Sequence, residues 1–138
     1  MKSVIVRAGP FLFSGRLEIE KAPNTSAFFE SLMPFRQTLV HCRWSGEGCW
    51  VPLGDDLPSN LPTENATSYP APGQCIFYPG GFSEAELLLA YGSVCFASKM
   101  GQLAGNHFMT ITSGVENLAE LGRLALWEGA QEIAIDFD

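Results

Sequence analysis

The sequence predicts a mainly β, antiparallel fold carrying two short helices, and three observations carry that expectation. Fourteen glycines and nine prolines interrupt the 138 residues at short intervals, which suits many short strands joined by turns. Only 17% of residues are charged and 46% are apolar, enough to bury one core of ordinary domain size. Apolar residues at helical spacing are confined to two stretches, near residues 24–33 and 115–127. Residues 1–138 are therefore expected to form a single domain.

Taken in order, Lys2 to Ala8 and Phe11 to Ile19 alternate as strands across a Gly-Pro turn and should pair as a hairpin. Pro23 suits a first helical position, and Phe28, Phe29, Leu32 and Met33 follow on one face until Pro34. Thr38 to Trp44 and Cys49 to Leu53 read as strands joined by Ser45-Gly46-Glu47-Gly48, whose glycines can supply positive φ. From Pro52 to Gly73 the periodicity disappears; Glu64, Asn65 and Tyr69 offer groups to bond and bury, so order is expected there. Tyr69-Pro70 and Tyr78-Pro79 are the expected cis bonds. Gln74 to Tyr78, Glu86 to Tyr91, Val94 to Ala97 and Asn106 to Thr112 read as further strands. Ser113-x-x-Glu116 has the form of a capping box ahead of Val115, Leu118, Leu121 and Leu124. Gly129 stops that helix, and Glu132 to Phe137 alternates as a last strand.

Fifteen acidic against eight basic residues give a formal charge of −7, with no basic cluster to neutralise phosphates, so neither nucleic acid nor an anionic membrane is an expected partner. No apolar stretch reaches membrane-spanning length, and the first is broken by Arg7, Gly9 and Pro10; a cytoplasmic location is expected. Cys42, Cys49, Cys75 and Cys95 form no C-x-x-C pair and read as small buried hydrophobes. His41 and Cys42 would point to opposite faces of a strand, so no metal site is expected with Cys49. A glycine-rich phosphate loop, a dinucleotide fingerprint and a G-x-S-x-G elbow are all missing, and no cofactor is expected.

Three segments resemble cyclophilins. Leu17-x-x-x-x-Ala22-Pro23-x-Thr25-x-x-x-Phe29-x-x-Leu32 looks like the stretch leading into their first helix, Leu103-Ala104-Gly105-Asn106-His107 like their Leu-Asp-Gly-Lys-His, and Ser113-Gly114-Val115-Glu116-Asn117-Leu118 like their late helix. Over nearly the whole chain the sequence is more similar to a bacterial family of unknown function with a cyclophilin-like fold. Its marks are Arg43-Trp44-Ser45-Gly46-Glu47, Glu64-Asn65-Ala66-Thr67-Ser68-Tyr69-Pro70, Tyr78-Pro79-Gly80-Gly81 and Gly105-Asn106-His107-Phe108. The resemblance implies a closed cyclophilin-like antiparallel β-barrel with two short capping helices, and the aromatic and asparagine content of Pro52 to Gly73 leads us to expect that stretch over one opening. It implies further that Arg43 stands where cyclophilins contact the prolyl peptide group, His107 at the pocket histidine and Phe96 at a pocket phenylalanine. The glutamine that supports the arginine has no counterpart, and Gln102 replaces the pocket tryptophan, so isomerase activity is expected to be weak or absent.

Arg43, if inward, needs a carboxylate or a ligand, with Glu47, Glu64 and Glu84 as candidate partners. His107, entering a strand at the rim, suits a ligand contact, a proton transfer or a structural hydrogen bond. Glu84 and Glu86 share a face, expected to be solvated. Three functions stay open at this level. One is a domain binding a small amide- or carboxylate-bearing ligand or short peptide at a rim of Arg43, His107, Phe96, Glu64, Asn65, Tyr69, Tyr78 and Glu84. Another is an enzyme, either a residual prolyl isomerase or a metabolic isomerase or hydrolase pairing His107 with a glutamate. The third is an interaction subunit of a homo-oligomer.

Overall fold

The structure is a computed structural model describing residues 2–55 and 60–138. Strand β1 (Ser3–Ala8) pairs antiparallel with β2 (Phe11–Leu17), the expected hairpin, turning at Gly9 with φ 55°. Helix α1 (Pro23–Ser31) follows, with Pro23 in its first turn. Then come β3 (Phe35–His41), β4 (Gly46–Gly54), the two-residue β5 (Ala66–Thr67), β6 (Gln74–Tyr78) and β7 (Ala85–Val94). A short hairpin of β8 (Ala97–Ser98) and β9 (Gly101–Gln102) precedes β10 (Gly105–Ser113), a 3-10 turn (Val115–Asn117), α2 (Leu118–Trp127) and β11 (Gln131–Phe137).

All the pairings are antiparallel and run β2-β1-β11-β3-β4-β7-β6-β10, with β10 returning to β2, so eight strands close a barrel. Strand β2 bonds only the later half of β10, from Met109 to Ser113, and β5 takes the vacated edge at Gly105 and Asn106. The barrel is filled by the inward alternates of its strands, among them Val4, Val6, Phe13, Phe77, Leu87, Leu89, Ile133 and Ile135. From α1, Phe29 plugs it, its ring 4.8 Å from Phe108 and 5.0 Å from Phe35 between centroids. At α2, Gly122 lies flat against the Tyr91 ring, where a Cβ would collide.

One patch of the barrel is buried on both faces. Along β6 and β7, Cys75, Phe77, Leu87 and Leu89 point inward, while Ile76, Tyr78, Leu88 and Ala90 point outward into a second apolar cluster closed by Phe96 and Leu103. That is why Leu87 to Ala90 reads as an unbroken apolar run rather than an alternation. The excursion through β8 and β9 roofs this outer face, and the Ser45 hydroxyl clips it down, bonding both N–H and C=O of Ala97 at 3.0 Å.

Several sequence expectations need correction. The β3–β4 turn falls at residues 42–45, three residues earlier than Ser45 to Gly48, because Cys42 N–H already bonds Gly48 C=O at 2.9 Å. Glu86 to Tyr91 and Val94 form one strand, since β7 continues through Gly92. No capping box forms at Ser113; Gly114, with φ 88°, leads into the 3-10 turn, and no side chain caps either segment. Among the described residues the cis bond is Met33-Pro34, not Tyr69-Pro70 or Tyr78-Pro79. Of the cysteines, Cys49 and Cys75 are buried, but Cys95 is exposed and Cys42 half-buried. Within Pro52 to Gly73, residues 56–59 lie outside the described residues; Glu64 to Ser68 is held by hydrogen bonds to α1 and β10 and around Leu103.

Candidate functional site

Two places concentrate polar side chains. The first joins the start of α1 to β10. Ala22, at the helix N-cap, has no side chain to offer, and Glu64 supplies the cap from 39 residues away: its Oε2 accepts from Thr25 N–H at 2.7 Å and Thr25 Oγ1 at 2.9 Å, and its Oε1 from Asn24 Nδ2 at 2.9 Å. Burial works to raise the Glu64 pKa, but the bonds from Thr25 and Asn24 outweigh it and hold the carboxyl below its ordinary value. Asn106 is buried with every polar atom bonded, accepting from Glu64 N–H and donating to Thr25 Oγ1 and Pro62 C=O. Asn65, at φ 49°, donates to His107 C=O at 2.8 Å.

His107 belongs to this network. Its Nε2 meets Thr110 Oγ1 at 2.8 Å, Thr110 donates to Glu18 Oε2 at 2.6 Å, and Arg16 Nε also reaches Glu18 at 3.1 Å. Its Nδ1 lies 3.4 Å from Asn65 Nδ2. Burial lowers the His107 pKa, partly offset by the Glu18 charge, so a neutral ring donating through Nε2 fits both neighbours. Both ring nitrogens are engaged inside the fold.

The second place is a cleft of about 240 Å³ on the outer face of β4 and β7, under the β8 roof. Arg43 and Trp44 enter it from the β3–β4 turn, Lys99 from the roof, Glu84 and Glu86 from the start of β7, and Trp50 and Cys42 from its floor. The expectation that Glu84 and Glu86 share a face holds, but the solvated face does not: Glu86 is only 6% exposed. Burial, aided by the Glu84 charge, raises its pKa to about 8. Among the described residues the Glu86 carboxyl makes no hydrogen bond or ion pair, and the Trp50 Nε1–H is buried without a partner. Arg43 pairs with none of its expected carboxylates. Glu47 accepts from Ser93 N–H at 2.8 Å, Glu64 caps α1, and Glu84 accepts from Gly54 N–H at 3.2 Å. The Arg43 guanidinium lies 5.9 Å from the centre of the Trp44 ring.

The site residues expected from sequence are thus divided. Arg43 and Glu84 come together in the cleft. Phe96 is wholly buried in the outer cluster, its ring 5.8 Å from Tyr78, whose hydroxyl accepts from Phe82 N–H at 3.0 Å. Glu64, Asn65 and His107 lie in the α1–β10 network, and Tyr69 is largely exposed. Trp50, Lys99 and Cys42 are not candidate site residues on the sequence alone, and Glu86 reads there as a surface carboxylate. Its signal was present: a carboxylate heads an apolar run too continuous for a half-exposed strand.

Residues 5–137 match the family described as "Protein of unknown function (DUF3830)". The chain belongs to this family. No curated protein matches it. Among solved structures, that of McbB in complex with tryptophan is similar to this DUF3830 domain, with a TM-score of 0.72 and 16% identity over 96% of this chain and 44% of that one. At that identity the likeness shows the fold alone, and the chain spans less than half the length of McbB. Among the described residues of the DUF3830 domain, no helix is long and apolar enough to cross a membrane.

Proposed function

We propose that this domain binds a small ligand, or a short peptide, through a carboxylate or amide group held in the cleft over β4 and β7. The observation that carries the reading is a set of donors without acceptors: the buried Trp50 Nε1–H has no partner, and Arg43 and Lys99 beside it form no ion pair among the described residues. Buried polar groups are satisfied in the great majority of cases, so an orphan donor on a residue that lines a cleft marks a place for a bound acceptor. Arg43 would take a carboxylate bidentately while Trp50 donates a single directing bond. McbB, similar in fold, is known in complex with tryptophan, which supports small-molecule binding by this architecture.

A thermal-shift screen with small carboxylates and primary amides tests the proposal. Stabilisation that Arg43→Ala and Trp50→Phe both abolish is expected; binders indifferent to both substitutions would contradict it.

A second reading, an acid–base enzyme at the same cleft, is favoured by Glu86, whose carboxyl keeps its proton up to about pH 8 and could deliver it to a bound substrate. Its proton donor would be Glu86 rather than His107. Prolyl isomerase turnover is expected to be weak or absent, with Phe96 shut inside the outer cluster and Gln102 exposed on β9.

A further inference from the structure

The charges lining the cleft are sorted by sign along the β4–β7 ladder. Arg43 precedes the Gly46↔Val94 pairing and Lys99 hangs from the roof just beyond it, whereas Glu86 pairs opposite Pro52 and Glu84 lies next to the Gly54↔Ala85 pairing. Cys42, next to Arg43, bonds Gly48, and Gly48 lies four positions along β4 from Pro52, roughly 13 Å of strand at about 3.3 Å per residue, of which the facing side chains close part. No ion pair joins the two ends among the described residues. The Glu84 charge acts on the Glu86 carboxyl and adds to the effect of burial in raising its pKa. Oppositely charged groups sharing a cleft this narrow would neutralise each other at shorter range; held apart along a cleft whose wall includes Trp50, they present a bipolar template.

Resting on the binding reading above, we propose that the cleft takes a short peptide by both of its free ends, the α-carboxylate at Arg43 and Lys99 and the α-ammonium at Glu84 and Glu86. The ammonium of a free α-amino acid sits on the carbon that bears its carboxylate, and such a molecule cannot touch both ends. Two or three residues, at no more than about 3.6 Å each, give the needed reach, and a peptide carbonyl then accepts from Trp50 Nε1–H. The Glu86 carboxyl has no hydrogen bond or ion pair among the described residues, and an ammonium supplies the donors it lacks.

The test is calorimetric titration at pH 7.5 with the Gly-Xaa-Gly tripeptides, each also in N-acetylated and in C-amidated form, and with free amino acids and benzoate as controls. The expected result is that at least one tripeptide binds and that blocking either end weakens it about tenfold or more, the scale of one charge-assisted hydrogen bond. Glu86→Gln should narrow the difference between the free and N-acetylated forms, with Glu84 still in place, while leaving the C-amide effect, and Arg43→Ala should do the reverse. N-acetylated peptides binding as well as free ones would overturn the two-ended template and leave the carboxylate reading standing, as would benzoate binding where no tripeptide does. If neither tripeptides nor benzoate bind, the template and the carboxylate reading both fall.

Discussion

The α1–β10 network and the β4–β7 cleft hold similar residue types and treat them oppositely. In the network, Glu64, Asn65, Asn106, His107 and Thr110 bond one another or nearby backbone groups. In the cleft, Trp50 Nε1, the Glu86 carboxyl, Arg43 and Lys99 find no hydrogen-bonding or ionic partner among the described residues. A buried polar group that is satisfied internally stabilises the fold, and a buried one left unsatisfied, as Trp50 Nε1 is, costs stability that a ligand can return, whereas the exposed Arg43 and Lys99 are solvated cations free to take one. The difference separates structural side chains from candidates for recognition better than residue type does. His107, chemically the most suggestive residue in the chain, falls on the structural side.

The largest expected effect comes from breaking the network at its centre. Asn106→Ala leaves Glu64 N–H, Thr25 Oγ1 and Pro62 C=O short of a buried partner, and chemical denaturation should show a loss of about 3 kcal/mol. In the cleft the sign reverses. The folded pKa of Glu86, about 8, lies above the unfolded carboxylate value near 4.3, so its contribution to stability is full below that lower value and falls as pH rises towards 8. Glu86→Gln should therefore gain stability relative to the wild type as pH rises from 5 to 9, with the gap closing again towards pH 5. A wild-type stability that tracks the variant across this range would show that Glu86 ionises freely.

Smaller effects sharpen the contrast. Glu64→Gln keeps the shape of the α1 cap and removes its charge, and a loss of about 1 kcal/mol at pH 7 is expected. With its pKa held below the ordinary value, the Glu64 contribution is present above the unfolded value and lost as pH falls through the folded one, so the variant and wild type should converge in acid. Arg43→Ala, at an exposed position with no ion partner, should change stability by no more than about 0.5 kcal/mol while impairing binding.

The barrel was legible in the sequence because its signals are local: Gly9, Pro23 and the stripe from Leu118 to Leu124 each act within a few residues of themselves. The Ser113 capping box failed for a tertiary reason, since Gly114, close against Leu12 and Phe13, takes a left-handed turn there. The site was half legible. Arg43 and Glu84 were named, but the cleft depends on the β8 excursion roofing β7, and nothing near Lys99 or Trp50 announces that they will meet. Glu64 and His107 look functional in sequence because chemistry of that kind also builds long-range caps and hydrogen-bonded strands.

The most direct measurement is a nitrogen–proton NMR titration with the tightest carboxylate ligand from the thermal-shift screen, following the Trp50 indole N–H, assigned by Trp50→Phe, beside the Asn106 side-chain amide. The account predicts a large shift of the Trp50 signal and a still Asn106. An unmoved Trp50, or a shift centred on Asn106 and His107, would contradict it.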